Sequence, residues 1–229
     1  MQSKSMLRTL FDIDAPLLIA ALIGAAPLAC QSVEVASGNI VYHPARGAAR
    51  ELTHLGLDTM PALAPSGSRV VFVRRTIHDT VQTSLGWAER NEIWIVDVNG
   101  SAIARRLPLG RSGATPETTL AALSDPSFGV DNRVVYFLSS GWVTSDALHR
   151  IDLASGREKY ICAANGFEVL RAGRYRGDLM VWQHRYRESG SYDGTWIVSP
   201  AGRSIRLVTL EDAPDADAKL AAARAGKLP

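Results

Sequence analysis

The side chains able to do chemistry are few and widely separated. Five histidines, His43, His54, His78, His149 and His184, stand far apart, with no His-x-His pair and no His-Glu-x-x-His. Metal ligands usually announce themselves by such short regular spacings, so the pattern assigns no metal site and no cofactor. Two cysteines, Cys30 and Cys162, are too few for a thiolate metal centre or a disulfide framework. The chain has no Gly-x-Ser-x-Gly elbow and no nucleotide-binding loop, so no catalytic residue is assigned. His78 beside Asp79, and His184 near Glu188, are the histidines with acidic neighbours. A hydrolase or lyase would have to use them, and that stands as an alternative reading.

What the chain does concentrate is recognition chemistry. His78, Trp87, Trp142, Asp146, Arg185, Tyr186 and Tyr192 fall in three stretches, 76–91, 139–147 and 185–194, together with Asp79 and Asp193. Trp, Tyr and Arg on connections held by a rigid scaffold are the usual make-up of a binding surface. The plainer alternative is that the aromatic rings fold back over the elements below them. A fourth stretch, 111–123, is expected on the same side.

The elements that must position these residues are strands. RVVFVRR (69–75), EIWIVDV (92–98), RVVYFLS (133–139), LHRIDL (148–153), DLMVWQH (178–184) and TWIVSP (195–200) are rich in β-branched and aromatic residues, and each is bounded by Gly, Asn, Asp, Ser or Pro. No segment between them has a helical period, which makes the chain all-β.

The strands also repeat. DTMPALAPSGSRVVFVRR aligns with LSDPSFGVDNRVVYFLSS, and NEIWIVDVNGSAIARRL with ALHRIDLASGREKYI. DGTWIVSPAGRSIRLV and GNIVYHPARGAARELT repeat the second half of that unit. The turn glycines Gly47, Gly100, Gly156 and Gly202 recur at intervals of about fifty residues, the length of a four-stranded propeller blade with its loops. Their expected role is conformational, supplying the positive φ of tight hairpins.

The fold class is therefore a β-propeller-like array of four-stranded antiparallel blades: three full blades plus, at 38–54, the outer half of another. Propellers typically close with about four to eight blades, and two copies of this chain would supply roughly seven, so a homodimeric ring is one way to close it.

The repeat resembles that of the TolB-like β-propeller family. The residues that carry the resemblance are Asp58, Pro61, Pro65, Ser66, Gly67 and Phe72, then Glu92, Ile93, Trp94, Ile95, Asp97 and Gly100, and in the next unit Asp125, Pro126, Asp131, Phe137, Ile151, Asp152 and Gly156. It covers residues 38–160 well and 160–208 loosely. It departs at the turns, where Ser66 replaces the family's Asp, and in the third blade, which lacks the Asp-Pro opening. The resemblance implies a binding or scaffold module of the bacterial periplasm or envelope rather than an enzyme, with an envelope or periplasmic protein as partner. A structural accessory subunit is a further alternative. The motif speaks to fold more than to function.

Composition excludes other classes. Apolar residues are 46% and charged residues 21% of 229, a globular balance with no sign of disorder. The net charge of +2 arises from 25 basic residues interspersed with 23 acidic ones, which argues against nucleic-acid binding.

The start carries Lys4 and Arg8, then an apolar run from Ala15 to Ala29 that is shorter than the ~20 residues a membrane span needs. Residues 1–30 are read as a secretory signal, with Cys30 as a lipidation site and lipid anchor if the signal is that of a lipoprotein, and with no membrane span in the mature protein. Without lipidation, an oxidising compartment would permit a Cys30–Cys162 bridge. The domain reading is then a signal over 1–30, the propeller over 38–210 and a charged Ala-rich tail over 211–229, read as a short frayed helix or disordered.

Overall fold

The computed structural model describes residues 30–83, 85–100, 103–110 and 112–228. Apart from Cys30, the expected signal segment lies outside the described residues. Cys30 is exposed and Cys162 half-buried, and both are free.

Four antiparallel sheets follow one another along the chain. The first has three strands, β1 (Ser32–Ala36), β2 (Asn39–His43) and β3 (Arg50–Glu51). The second contains β4 (Asp58–Leu63), β5 (Arg69–Thr83), β6 (Gly86–Asp97) and β7 (Arg105–Arg106). The third contains β8 (Ser124–Phe128), β9 (Val134–Trp142), β10 (Ser145–Asp152) and β11 (Glu158–Ala164). The fourth contains β12 (Gly166–Val169), β13 (Leu179–Arg187), β14 (Gly190–Val198) and β15 (Ser204–Leu210). Three full blades and an incomplete one are present, as the repeat implies.

The incomplete sheet supplies the outer half of a blade, as the repeat alignment expects. β2 and β3 pair as β6 and β7 do, Val41↔Glu51 and Tyr42↔Arg50 matching Trp94↔Arg106 and Ile95↔Arg105. β1 adds a third strand on the inner side of β2.

Why these sequences stack is visible in the run Val70-Val71-Phe72-Val73. Successive strand residues point to opposite faces. Val70 and Phe72 meet Ile40, Tyr42 and Leu52 of the first sheet. Val71 and Val73 meet Phe128, Val135 and Phe137 of the third. Both faces are covered, so the strand is apolar throughout rather than alternating. Phe72, Phe128 and Phe137 are fully buried, and each contributes about 1.5–3 kcal/mol by leaving water. On the other side of the third sheet, Tyr136, Leu138 and Leu148 pack on Leu179, Val181 and Trp196 of the fourth.

The turns behave as read. Gly47, Gly100, Gly156 and Gly202 all have positive φ. At Gly202 a Cβ would also lie 2.4 Å from the Ile161 carbonyl oxygen. Pro61 and Pro126 both sit in a bulge of an inner strand, each preceded by a positive-φ residue, Met60 or Asp125. Thus Asp125 is equivalent to Met60, and the two aspartates of the sequence motif do not share a position.

The tail is integral to the fold. Its helix α1 (Ala216–Arg224) lies on the outer face of the fourth sheet, where Leu220, Ala223 and Leu228 cover Met180, Ile197 and Val208. That face corresponds to the one through which neighbouring blades pack, and here the helix covers it. The Ala-rich stretch gains from this packing what its own propensity cannot supply to so short a helix.

Candidate binding surface at the hairpin ends

The three stretches expected as loops are the ends of long hairpins. Strands β5 and β6 stay paired to Thr83↔Gly86, β9 and β10 to Trp142↔Ser145, and β13 and β14 to Arg187↔Gly190. The first of these is broken by a bulge between Arg75 and Thr80. Ladder hydrogen bonds thus run into regions that turn-rich composition reads as loop, and they hold the side chains on rigid strands.

The structure divides the expected residues into two groups. Trp87 (73% exposed) and Tyr186 (71%) project into solvent, and His78 is exposed in the bulge with φ of 61°. Tyr186 meets the His184 ring edge-on at 4.9 Å, and its hydroxyl lies 3.4 Å from that of Thr144, joining the hairpin ends of the third and fourth sheets. The others turn inward. Trp142 leans on Tyr160 at 6.3 Å between ring centres. Arg185 stacks over Trp196 at 3.8 Å and donates to Gln183 Oε1, and Tyr192 lies 6.1 Å from the same indole. Asp146 is half-buried, and desolvation, then the charge of Asp125, raises its pKa. No hydrogen bond, ion pair or ring contact among the described residues joins His78 or Trp87 to the other five.

Two buried polar groups escape sequence reasoning. Asp58, fully buried, accepts from Arg74 Nε at 2.6 Å and Nη2 at 2.8 Å, and the guanidinium lies 4.2 Å from the centre of the Trp94 ring. In the third sheet Ser139 and His149 are both fully buried. Ser139 Oγ donates to the Thr119 carbonyl at 2.7 Å and lies 3.0 Å from His149 Nε2, while His149 Nδ1 lies 2.6 Å from Glu158 Oε1.

The order Ser, His, Glu has the connectivity of a nucleophile relay. The serine hydroxyl, however, is sealed from solvent and spent on Thr119, so it reaches no substrate. What it does is fasten the segment 112–123 to the third sheet. Three further histidines have acidic partners, His43 with Glu34 at 2.9 Å, His54 with Glu51 at 3.3 Å and His184 with Asp193 at 2.9 Å, and Asp79 pairs with Arg90 at 3.4 Å.

Two cavities open at this end. One, of about 750 Å³, lies between the hairpin of the second sheet and residues Leu109, Gly110, Ser112 and Leu120, with Ile93, Leu107 and Leu123 as floor and Arg90 and Arg106 at the rim. Arg106 is already held by Glu92 at 2.8 Å. The other, of about 440 Å³, lies between the fourth sheet and the start of α1. Among the described residues no group of three or more His, Cys, Asp and Glu is placed to hold a metal ion, and no helix is long and apolar enough to cross a membrane.

No family model and no curated protein matches the sequence. Solved structures do resemble the fold. Dipeptidyl peptidase 4 of Porphyromonas gingivalis matches over 78% of this chain and 31% of its own, at 10% identity and a TM-score of 0.50. The β-propeller domain of the Trilobed protease from Pyrococcus furiosus, described as having an open velcro topology, matches over 75% and 49%, at 15% identity and a TM-score of 0.46. A putative TolB from Agrobacterium tumefaciens matches over 79% and 76%, at 12% identity and a TM-score of 0.37. The chain spans less than half the length of the first two. The sheets described above make the fold a β-propeller-like array of antiparallel blades.

Proposed function

We propose that this chain is an exported, non-enzymatic module of the bacterial periplasm or envelope that binds a partner protein through its hairpin ends. The observation that carries the reading is the distribution of exposed apolar side chains. Trp87, Tyr186 and Ile77, between 66% and 73% exposed, lie on the strands of two hairpin ends, and Val143, 87% exposed, lies in the turn of the third, while Ile103, 75% exposed, lies elsewhere. Rigid aromatic anchors on a fixed scaffold lose little entropy when a partner covers them.

The test is capture of an envelope protein by the purified chain, compared with Trp87→Ala and Tyr186→Ala. Loss of capture with an unchanged melting temperature supports the reading. Capture that survives both substitutions overturns it.

A further inference from the structure

The 440 Å³ cavity beside α1 carries an inference independent of the role of the hairpin ends. Its wall is the Trp182 ring, which lies over Gly166, where even a Cβ would come within 3.5 Å of it. Three carboxylates line the opening: Asp193 and Glu211 from the sheet side, and Asp217 from the first turn of the helix. His184 accompanies Asp193, but among the described residues neither Glu211 nor Asp217 has an ion-pair partner, and no Lys or Arg is in the lining. The amino end of α1 faces the same space, yet its dipole amounts to about half a positive charge, against three carboxylates. The field in the cavity is therefore negative.

A second observation concerns Thr195. This residue is 3% exposed, lines the cavity, and its hydroxyl makes no hydrogen bond among the described residues. Since no buried side-chain oxygen or nitrogen among them is both occluded and unpartnered, the hydroxyl must open onto the cavity. A buried hydroxyl with an open valence is a recognition group awaiting a partner. The acidic groups do not converge as metal ligands do, but the volume falls in the range of small-molecule sites.

We propose that this cavity binds a primary alkylammonium, with the ammonium between Glu211, Asp217 and the Thr195 hydroxyl and the alkyl stem along Trp182. The carboxylates and the hydroxyl require N–H donors, and the indole face favours a cation. The same chemistry could arrive as a free aliphatic diamine or as a lysine side chain.

The test is calorimetric titration of the full chain with cadaverine and, separately, with Nα-acetyl-lysine amide. Tetramethylammonium, a cation without N–H, is the control. Saturable binding with Kd on the order of 0.1–1 mM is expected. Glu211→Gln and Asp217→Asn, both at exposed positions, should each weaken it by about fivefold to tenfold, Thr195→Val by about fivefold, and tetramethylammonium should bind at least about tenfold more weakly. Tighter binding of cadaverine assigns the site to free amines, and tighter binding of the lysine amide assigns it to a peptide side chain. No saturation by either probe at 10 mM, about tenfold above that range, would overturn the proposal. So would unchanged affinity in the Glu211→Gln/Asp217→Asn double variant with its melting temperature intact, or equal affinity for tetramethylammonium.

Discussion

The second and third sheets are copies of one repeat, and they fill the same internal position with different chemistry. Phe72 pairs with Trp94 across the second sheet as Phe137 pairs with His149 across the third. Two residues beyond the phenylalanine stand Arg74 in one and Ser139 in the other. In the second sheet the result is a bidentate Arg74–Asp58 pair layered on Trp94. In the third it is a hydrogen-bonded chain from Thr119 through Ser139 and His149 to Glu158, with the imidazole stacked on Phe137 at 5.5 Å. The fourth sheet offers a variant of the first solution, Arg185 on Trp196. The lesson is that the repeat conserves geometry at this level, a flat ring with a polar group beside it, and leaves open which polar group is used.

The largest effect should come from breaking the ion pair. Asp58→Ala strands a guanidinium that is almost buried, and is expected to cost about 3–5 kcal/mol in chemical denaturation. Arg74→Ala added to it should recover part of that loss, because no charge is then left unpaired. A loss below about 1 kcal/mol for the single variant would show that water reaches Arg74.

Ser139→Ala comes next. It leaves the Thr119 carbonyl and one histidine nitrogen without their partner, at about 1–3 kcal/mol, and hydrogen exchange should quicken in segment 112–123 before the rest of the sheet. If exchange there is unaltered, the serine is not what fastens the segment.

Arg185→Ala removes a stacked cation from a less enclosed site, and about 0.5–2 kcal/mol is expected by the same denaturation measurement. Stability equal to the parent would separate the fourth sheet from the second in kind rather than in degree.

The smallest effect is the most specific. Desolvation and the charge of Asp125 raise the pKa of Asp146, so the folded state favours its protonated form. That contribution is fully present below the ordinary carboxylate value and is lost as the pH rises through the raised one. Asp146→Asn should therefore be more stable than the parent at pH 7, with the gap closing towards pH 3. A gap that widens on acidification would reverse the sign.

Much of the fold was legible in the residues. Val70 to Val73, Glu92 to Asp97 and Trp196 to Val198 read as strands because their period and their bounding turns agree, and the turn glycines fixed the repeat length. The Ser66-Gly67 and Asp131-Asn132 turns read alike, and Gly67 and Asn132 both have positive φ. Less legible was where strands stop. Residues 76–91 carry turn formers, yet pairing with a partner strand keeps 80–83 and 86–89 extended. The tail was also opaque, since its helix forms against a sheet face distant in sequence.

The candidate surface was half legible. Trp87 and Tyr186 stand exposed at hairpin ends, but Trp142, Arg185 and Tyr192 carry the same residue types and face inward. Side-chain type cannot decide that, because Arg and aromatic residues are equally suited to stacking on a neighbour and to meeting a partner.

The sequence alone settled the class of fold, the repeat and the scarcity of catalytic groupings, because these depend on local period, turn chemistry and composition. Tertiary structure alone decided the rest. Ser139 and His149 are ten residues apart, and Asp193 and Thr195 lie on β14, Glu211 just beyond β15 and Asp217 on α1. Only the pairing of strands and the return of the chain as α1 bring each set to one place. Contact between side chains is a property of distance in space, and spacing along the chain fixes that only within a single strand or turn.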